Sequence, residues 1–241
     1  MAKPGREYIY GINPAFETIR AGKRHVYEAC LNRSASRQPR MRKLAGYLKR
    51  MNIPIQWVDK GRIIELASSK DHQGVVLKTK PYPYHASGDL WGRPRLLLLD
   101  NVEDPHNVGG ILRSAEIFGF HSVLLSLKGV PEIYPSVVKV SAGATEFLDI
   151  AKDASANEYV KTAKEKGYKI IALDAHGEID VRKILQKCPD KILVVIGGED
   201  RSVGQYILNQ ADFTAAIPQS GRINSLNASV AAGIALFALQ G

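Results

Sequence analysis

An α/β protein built on a parallel sheet is the architecture this sequence predicts, and two features predict it. Apolar runs such as Leu96–Leu99 and KILVVIGG are unbroken, as strands covered on both faces must be. Stretches of helical spacing separate such runs, and repeated strand–helix units build parallel sheets with helices on both sides. No apolar run approaches the roughly 18 residues that span a bilayer, so a membrane protein is not expected.

The chain has 241 residues, enough for one large domain or two small ones. Its formal net charge of +9 is unevenly distributed. Residues 1–80 carry 17 Lys and Arg against 6 Asp and Glu, a net of +11. Residues 81–241 carry 16 against 18, a net of −2. A basic module on a near-neutral one is the footprint of a polyanion partner, RNA or DNA first, and a merely solubilising excess would be less one-sided. Cys30 and Cys188 are the only cysteines; two distant thiols make neither a disulfide framework nor a metal-ligand spacing. MAKPGREYIYG lacks the apolar segment of a signal peptide, so a cytoplasmic protein, or one of an organelle reached without a recognisable presequence, is expected.

From Tyr8 to Ala21 a short strand gives way to a helix opening at Asn13-Pro14, where proline suits the first turn. HVYEACL reads as a strand, Arg33 to Arg42 as a polar loop, and Met41 to Met51 as a helix with Leu44, Tyr47 and Leu48 on one face. IPIQWVD is a strand, GRIIELAS a short helix and GVVLKTK a strand. Residues 1–80 thus form a small α/β/α module. Its cations cluster in the loops and second helix, and Arg24, Arg33, Arg37, Arg40, Arg42 and Lys43 form the expected RNA-contacting set, with Lys23, Lys49 and Arg50 beside them. Tyr47 and Trp57 have rings that stack on bases, but their core-like spacing assigns both to the core. His72, in DHQG, reads as a turn residue.

Residues 81–94, with Pro81, Pro83, Pro94, Gly88 and Gly92, read as a linker. The second domain, 95–241, opens with the strand at Leu96–Leu99 and a helix at Asp104-Pro105. HSVLLSL, a helix near Ser136–Ala142, FLDIA, the helix Asn157–Lys166, KIIALDA and a short helix at Val181–Leu185 follow. KILVVIGGED is a strand ending in a glycine pair, Gln205–Ala211 a helix, FTAAIP a strand and Asn227–Leu239 the closing helix.

Ligands of parallel sheets bind beyond the carboxyl ends of the strands. Three loops stand there: Asn101–Arg113, Ile196–Val203 and Ile217–Ser229. The chain has no GxGxxG fingerprint followed by a spaced acidic residue, no GxxxxGK[ST] loop and no HExxH or Cys/His cluster, so neither a dinucleotide nor a metal is expected. Gly197-Gly198 lets a backbone approach a ligand closely. Glu199 follows as an acceptor. Ser225, Asn227 and Ser229 supply neutral donors and acceptors at a helix start. Asn107 and Arg113, six residues apart, are expected on one side of a helix start. Singly, Asn107 and Ser225 read as helix caps and Arg113 as a surface ion-pair partner; three such loops at equivalent strand ends point to a shared ligand.

NVEDPHNVGGILRSAEIFG, VVIGGEDRSV and IPQSGRINSLNASVAAGIALF resemble, in that order, three motifs of the SpoU, or TrmH-type, RNA 2′-O-ribose methyltransferases of the SPOUT superfamily. YGINPAFETIRAG and HQGVVL resemble the substrate-binding domain carried by the 23S rRNA guanosine methyltransferases, itself similar to small ribosomal proteins. The resemblance covers nearly the whole chain. It implies a SPOUT domain with a deep trefoil knot over 95–241 and an RNA-binding domain over 1–80. It implies a homodimer with the active site at the subunit interface, S-adenosyl-L-methionine as cofactor and no metal. By motif position it places Gly197, Ile217 and Leu226 at the adenosyl group. It places Arg113, Asn107, Glu199, Ser225 and Asn227 around the reacting centre. The implied activity is 2′-O-methylation of a ribose, a guanosine, in 23S rRNA; a tRNA ribose methyltransferase and a non-catalytic RNA-binding assembly factor are the alternatives. The family proposal makes the position of Arg113 the base, yet a guanidinium is rarely deprotonated, and holding a phosphate beside a developing alkoxide suits it equally.

Overall fold

The computed structural model of the protein describes residues 5–184, 191–198, 203–222 and 225–240. The chain begins with β1 (Glu7–Tyr10), α1 (Ile12–Ala21), β2 (Val26–Asn32), α2 (Pro39–Arg50), β3 (Ile55–Val58), α3 (Lys60–Ala67) and β4 (Val75–Thr79). It continues with β5 (Arg95–Asp100), α4 (Pro105–Ile117), β6 (Ser122–Leu125), α5 (Pro135–Val140), β7 (Asp149–Ala151), α6 (Ala156–Glu165) and β8 (Lys169–Leu173). It closes with β9 (Ile179–Asp180), β10 (Ile192–Gly197), α7 (Gln205–Gln210), β11 (Phe213–Ala216) and α8 (Ala228–Ala238). Two compact units result: Met1–Pro83 with Ile133–Phe147, and Tyr84–Glu132 with Leu148–Gly241.

The first unit holds a four-stranded sheet in the order β1-β4-β2-β3. β4 runs antiparallel to both β1 and β2, and β2 is parallel to β3. Alternation along the strands sends Tyr10, Cys30 and Val76 to one face, where Ile63 and Ala67 of α3 cover them. Ile9, Ala29, Leu31, Val75 and Leu77 are buried on the opposite face, the side of α1 and α2. α2 starts at Pro39, inside the stretch expected as loop, because proline suits the first helical turn. His72 is buried, and its Nδ1 accepts the Gly74 N–H at 2.8 Å, closing the turn before β4.

Residues 133–147, expected within the second domain, pack instead in the first unit, with α5 against β1. Several contacts hold them there. Gly143 has φ +93°, and a Cβ on it would lie 2.7 Å from Glu17 Cβ, so only glycine fits. Arg24 donates from Nη2 and Nε to Glu146 at 2.7 and 3.0 Å, and from Nη1 to Glu7 at 2.7 Å. Arg24 and Glu146 side chains are both fully buried. Nor do residues 81–94 behave as a free linker: Tyr82 is buried and donates to Thr145 O, and Leu90 sits in the second unit's core.

The second unit is a seven-stranded, all-parallel sheet in the order β7-β6-β5-β10-β8-β11-β9. Leu96, Leu98, Leu124, Ile170, Leu193 and Val195 bury one face against Tyr159, Val160 and Ala163 of α6 and Ile207 of α7. The alternate residues Leu97, Leu99, Val123, Val194 and Ile196 are buried as well, and α8 lies against β10. Coverage of both faces explains the unbroken apolar runs. β9 has two residues, too few for any periodic pattern, and a 3-10 turn at Val181–Lys183 stands where a short helix was expected.

α4 and α8 pack on each other in register. A Cβ on Gly110 would lie 2.9 Å from Ser229 Cβ, and one on Gly233 would lie 3.4 Å from Ser114 Oγ. Phe118 and Phe237 meet edge-to-face at 5.6 Å. Residues 110, 114 and 118 thus face 229, 233 and 237, a four-residue ridge on each helix. Among the described residues no helix is long and apolar enough to cross a membrane.

Candidate functional site

The carboxyl ends of β10 and β8 and the stretch after β11 border a cavity of about 450 Å³. Leu173, Ile196, Ile217, Leu226, Ala228 and Ala231 supply its apolar walls, and Gly197 and Gly198 its open backbone edge. Ser225, Asn227 and Gln219 supply neutral polar groups, and Asp174 is the one ionisable side chain among its described lining residues. Three positions expected at a shared ligand, Gly197, Ile217 and Leu226, therefore lie on one cavity, together with Ser225 and Asn227. Leu173, Asp174 and Ala175 went unpredicted, although the strand-end rule that selected β10 applies equally to its neighbour β8.

Close passage of the chain shapes this end of the sheet. A Cβ on Gly198 would stand 2.0 Å from Asn101 O, so the segment leaving β10 crosses the segment leaving β5 with room for glycine alone. Asn101 itself adopts φ 54°, in the left-handed region that asparagine tolerates. Asp100, buried at the end of β5, has its carboxyl pushed up by desolvation despite a hydrogen bond from the Gly204 backbone.

Asn107 and Asn227, 120 residues apart, are hydrogen-bonded: Asn227 Nδ2 donates to Asn107 Oδ1 at 2.9 Å. Asn227 Oδ1 also accepts the backbone N–H of Ser229 at 3.0 Å and of Val230 at 3.3 Å, and the Ser229 hydroxyl at 2.6 Å. It is thus the N-cap of α8, at the helix start where the sequence placed it, and also the tie between the starts of α8 and α4, which the sequence did not show. Asp104 caps α4 by accepting the His106 N–H, and Asn107 points inward one turn later. Asn227→Ala removes the cap of α8 and the side-chain bond to Asn107; a loss of about 1–2 kcal/mol in urea unfolding is expected, and an unchanged midpoint would show the tie to be idle.

Arg113 does not share a side with Asn107. Six residues turn a helix by about 600°, leaving the two roughly 120° apart; Asn107 is buried and Arg113 exposed. Among the described residues Arg113 makes no ion pair, so the surface salt bridge that would explain it is not formed there. Glu199 lies outside the described residues. No group of three His, Cys, Asp or Glu suited to a metal occurs among the described residues.

In the first unit Arg33, Arg37, Arg40, Arg42 and Lys43 are exposed, as an RNA surface requires. Arg24 is not among them; its guanidinium is enclosed by Glu146 and Glu7 and is a structural cation.

The sequence model of the SpoU rRNA Methylase family matches residues 94–237, and that of the RNA 2′-O ribose methyltransferase substrate-binding domain matches residues 8–85. The putative TrmH family tRNA/rRNA methyltransferase YacO of Bacillus subtilis (strain 168) is 29% identical over 238 residues, covering 96% of this chain and 94% of that protein. An uncharacterized tRNA/rRNA methyltransferase of Archaeoglobus fulgidus is 35% identical over 207 residues, covering 86% and 88%. Among solved structures, the SpoU methyltransferase AviRb from Streptomyces viridochromogenes, in complex with AdoMet, superposes with a TM-score of 0.78 at 22% identity. That match covers 97% of this chain and 89% of that one and speaks for the fold. With both halves of the sequence matched in order, the chain belongs to the SpoU/TrmH family of RNA 2′-O-ribose methyltransferases.

Proposed function

We propose that the protein methylates the 2′-hydroxyl of a guanosine ribose in large-subunit rRNA, using S-adenosyl-L-methionine, and that it works in the cytoplasm as a homodimer. The cavity at the ends of β10 and β8 carries this reading. Its apolar walls fit an adenine ring, with Ile217 and Leu226 against the ring and the Gly197 backbone beside it. Its one described charge, the Asp174 carboxylate, has the sign that attracts a sulfonium. The bound cofactor supplies a methyl group already activated by positive sulfur.

The chain's own residues then hold and discharge the ribose. Ser225 and Asn227 stand on the cavity wall as neutral polar groups, and Asn107 is fixed behind Asn227. Oxygen, methyl carbon and sulfur must be collinear, a constraint that rigid helix starts serve better than loops. As the new O–C bond forms the hydroxyl proton must leave. Arg113 neutralises the developing alkoxide, holds an RNA phosphate or receives that proton, and Glu199 belongs to the same polar set. The tight crossing at Gly198 supports a chain end threaded into a trefoil knot. Val230, Ile234 and Phe237 of α8, with Ile117 of α4, expose an apolar stripe suited to a second copy of this chain.

The test is to incubate the protein with methyl-labelled cofactor and either rRNA or tRNA, then identify the labelled nucleosides by mass spectrometry. 2′-O-Methylguanosine from rRNA is the expected product. Label in tRNA instead would transfer the assignment to the tRNA alternative. Neither label nor cofactor binding by calorimetry would leave a non-catalytic RNA-binding factor.

A further inference from the structure

A second cavity, of about 480 Å³, lies on the outer face of α1 and α2 in the first unit. Residues 13, 16, 17 and 20 form one stripe of α1, and residues 40, 43, 47 and 50 form the facing stripe of α2. Phe16 and Tyr47 are half-buried, their ring centroids 6.1 Å apart and their planes within 18°. Arg50 lies over the Tyr47 ring at 5.6 Å. The rim is formed by Arg20, Arg40, Lys43 and Arg50, all exposed, against a single carboxylate, Glu17, which pairs with Arg20 at 3.3 Å. Arg40 spends one donor on a neutral group, Asn13 Oδ1.

We infer that this groove is a binding site for an unpaired nucleotide segment of RNA. The inference rests on the reading of the chain as an RNA methyltransferase and names how its substrate is held. The cations take the phosphates, which gives affinity without sequence preference. The stacked Phe16–Tyr47–Arg50 group takes a base face, as aromatic and guanidinium planes do for splayed bases. Duplex RNA offers phosphates but keeps its base faces inside the helix, so a groove with both features selects loops, bulges or single strands. An acidic polypeptide would use the cations and leave the aromatic floor without a role.

The test uses the full chain, a fluorescent RNA hairpin with an unpaired loop, and a blunt duplex of the same stem. The wild type binds the hairpin more tightly than the duplex. Arg40→Gln with Lys43→Gln lowers hairpin affinity about tenfold and reduces the salt slope by about 1.4, two single-strand phosphate contacts. Tyr47→Leu keeps an apolar side chain but removes the ring, weakens hairpin binding about tenfold, and leaves both salt slope and duplex binding as they were. Equal affinity of the wild type for hairpin and duplex would overturn the proposal. So would wild-type hairpin binding in both variants, or displacement of RNA by polyglutamate with no effect of Tyr47→Leu. Cofactor titration on the same samples separates two failures: absent cofactor binding defeats the enzyme reading, whereas normal cofactor binding with lost hairpin selectivity defeats the groove alone.

Discussion

Arg24→Met is expected to destabilise the protein by about 3–5 kcal/mol, read as a lowered urea midpoint at unchanged slope. The substitution removes the guanidinium and leaves Glu146, fully buried, without its ion-pair partner. An unpaired buried carboxylate either loses its hydration or takes up a proton, and both are unfavourable at neutral pH. Glu7 shows the direction of that effect: burial pushes its carboxyl above the ordinary range even with the guanidinium beside it. The double change Arg24→Met with Glu146→Leu removes both charges, so most of the lost stability should return. A single substitution within 1 kcal/mol of wild type, read against the same principle, would show that the pair carries no structural weight. The same contact bears on truncation. Cutting at residue 80 removes β1, α1 and Arg24 while keeping 133–147, so the shortened chain is expected to expose a segment whose packing partners are gone.

Arg113→Ala and Arg113→Lys are each expected to lower methyl transfer by about 100- to 1,000-fold, the range for losing one preorganised group at developing charge. S-Adenosyl-L-methionine affinity and thermal midpoint should stay near wild type, because Arg113 is exposed and makes no ion pair among the described residues. The lysine variant keeps the charge and loses the planar fork, so its loss would tie the role to bidentate geometry. A pH profile of single-turnover rates separates the roles: a base shifts the acid limb when replaced, and an electrostatic clamp lowers the whole curve. Turnover near wild type in both variants would remove Arg113 from the mechanism.

Leu96–Leu99 and the alternation around it were enough to read a parallel sheet, because burial on both faces leaves an unbroken apolar run in the sequence itself. Asp104-Pro105 opened α4 as expected, since a cap and a first-turn proline act locally. The same local logic placed Gly197, Ser225 and Asn227 at strand and helix ends, and the structure gathers them on one cavity with Ile217 and Leu226, which the motif resemblance supplied. Tyr47 shows the limit. Its spacing matches core neighbours Leu44 and Leu48, yet it stands one step round the helix, half-buried on a groove whose other wall is α1. Arg24 shows the opposite error: it belongs to a basic stretch, but carboxylates 17 residues before it and 122 after it close around it.

From sequence alone came the fold class, the order of elements, the strand ends that bear a site and the membership that three ordered motifs imply. The first three depend on periodicity and turn chemistry acting over a few residues, and the last on the resemblance of the motifs. Tertiary structure alone decided that 133–147 pack beside β1, that Arg24 is enclosed, that Asn227 ties α8 to α4, and that two helix stripes frame a basic aromatic groove. Each depends on groups distant in the chain meeting in space, and side-chain burial, unlike periodicity, is a property of the neighbours rather than of the residue.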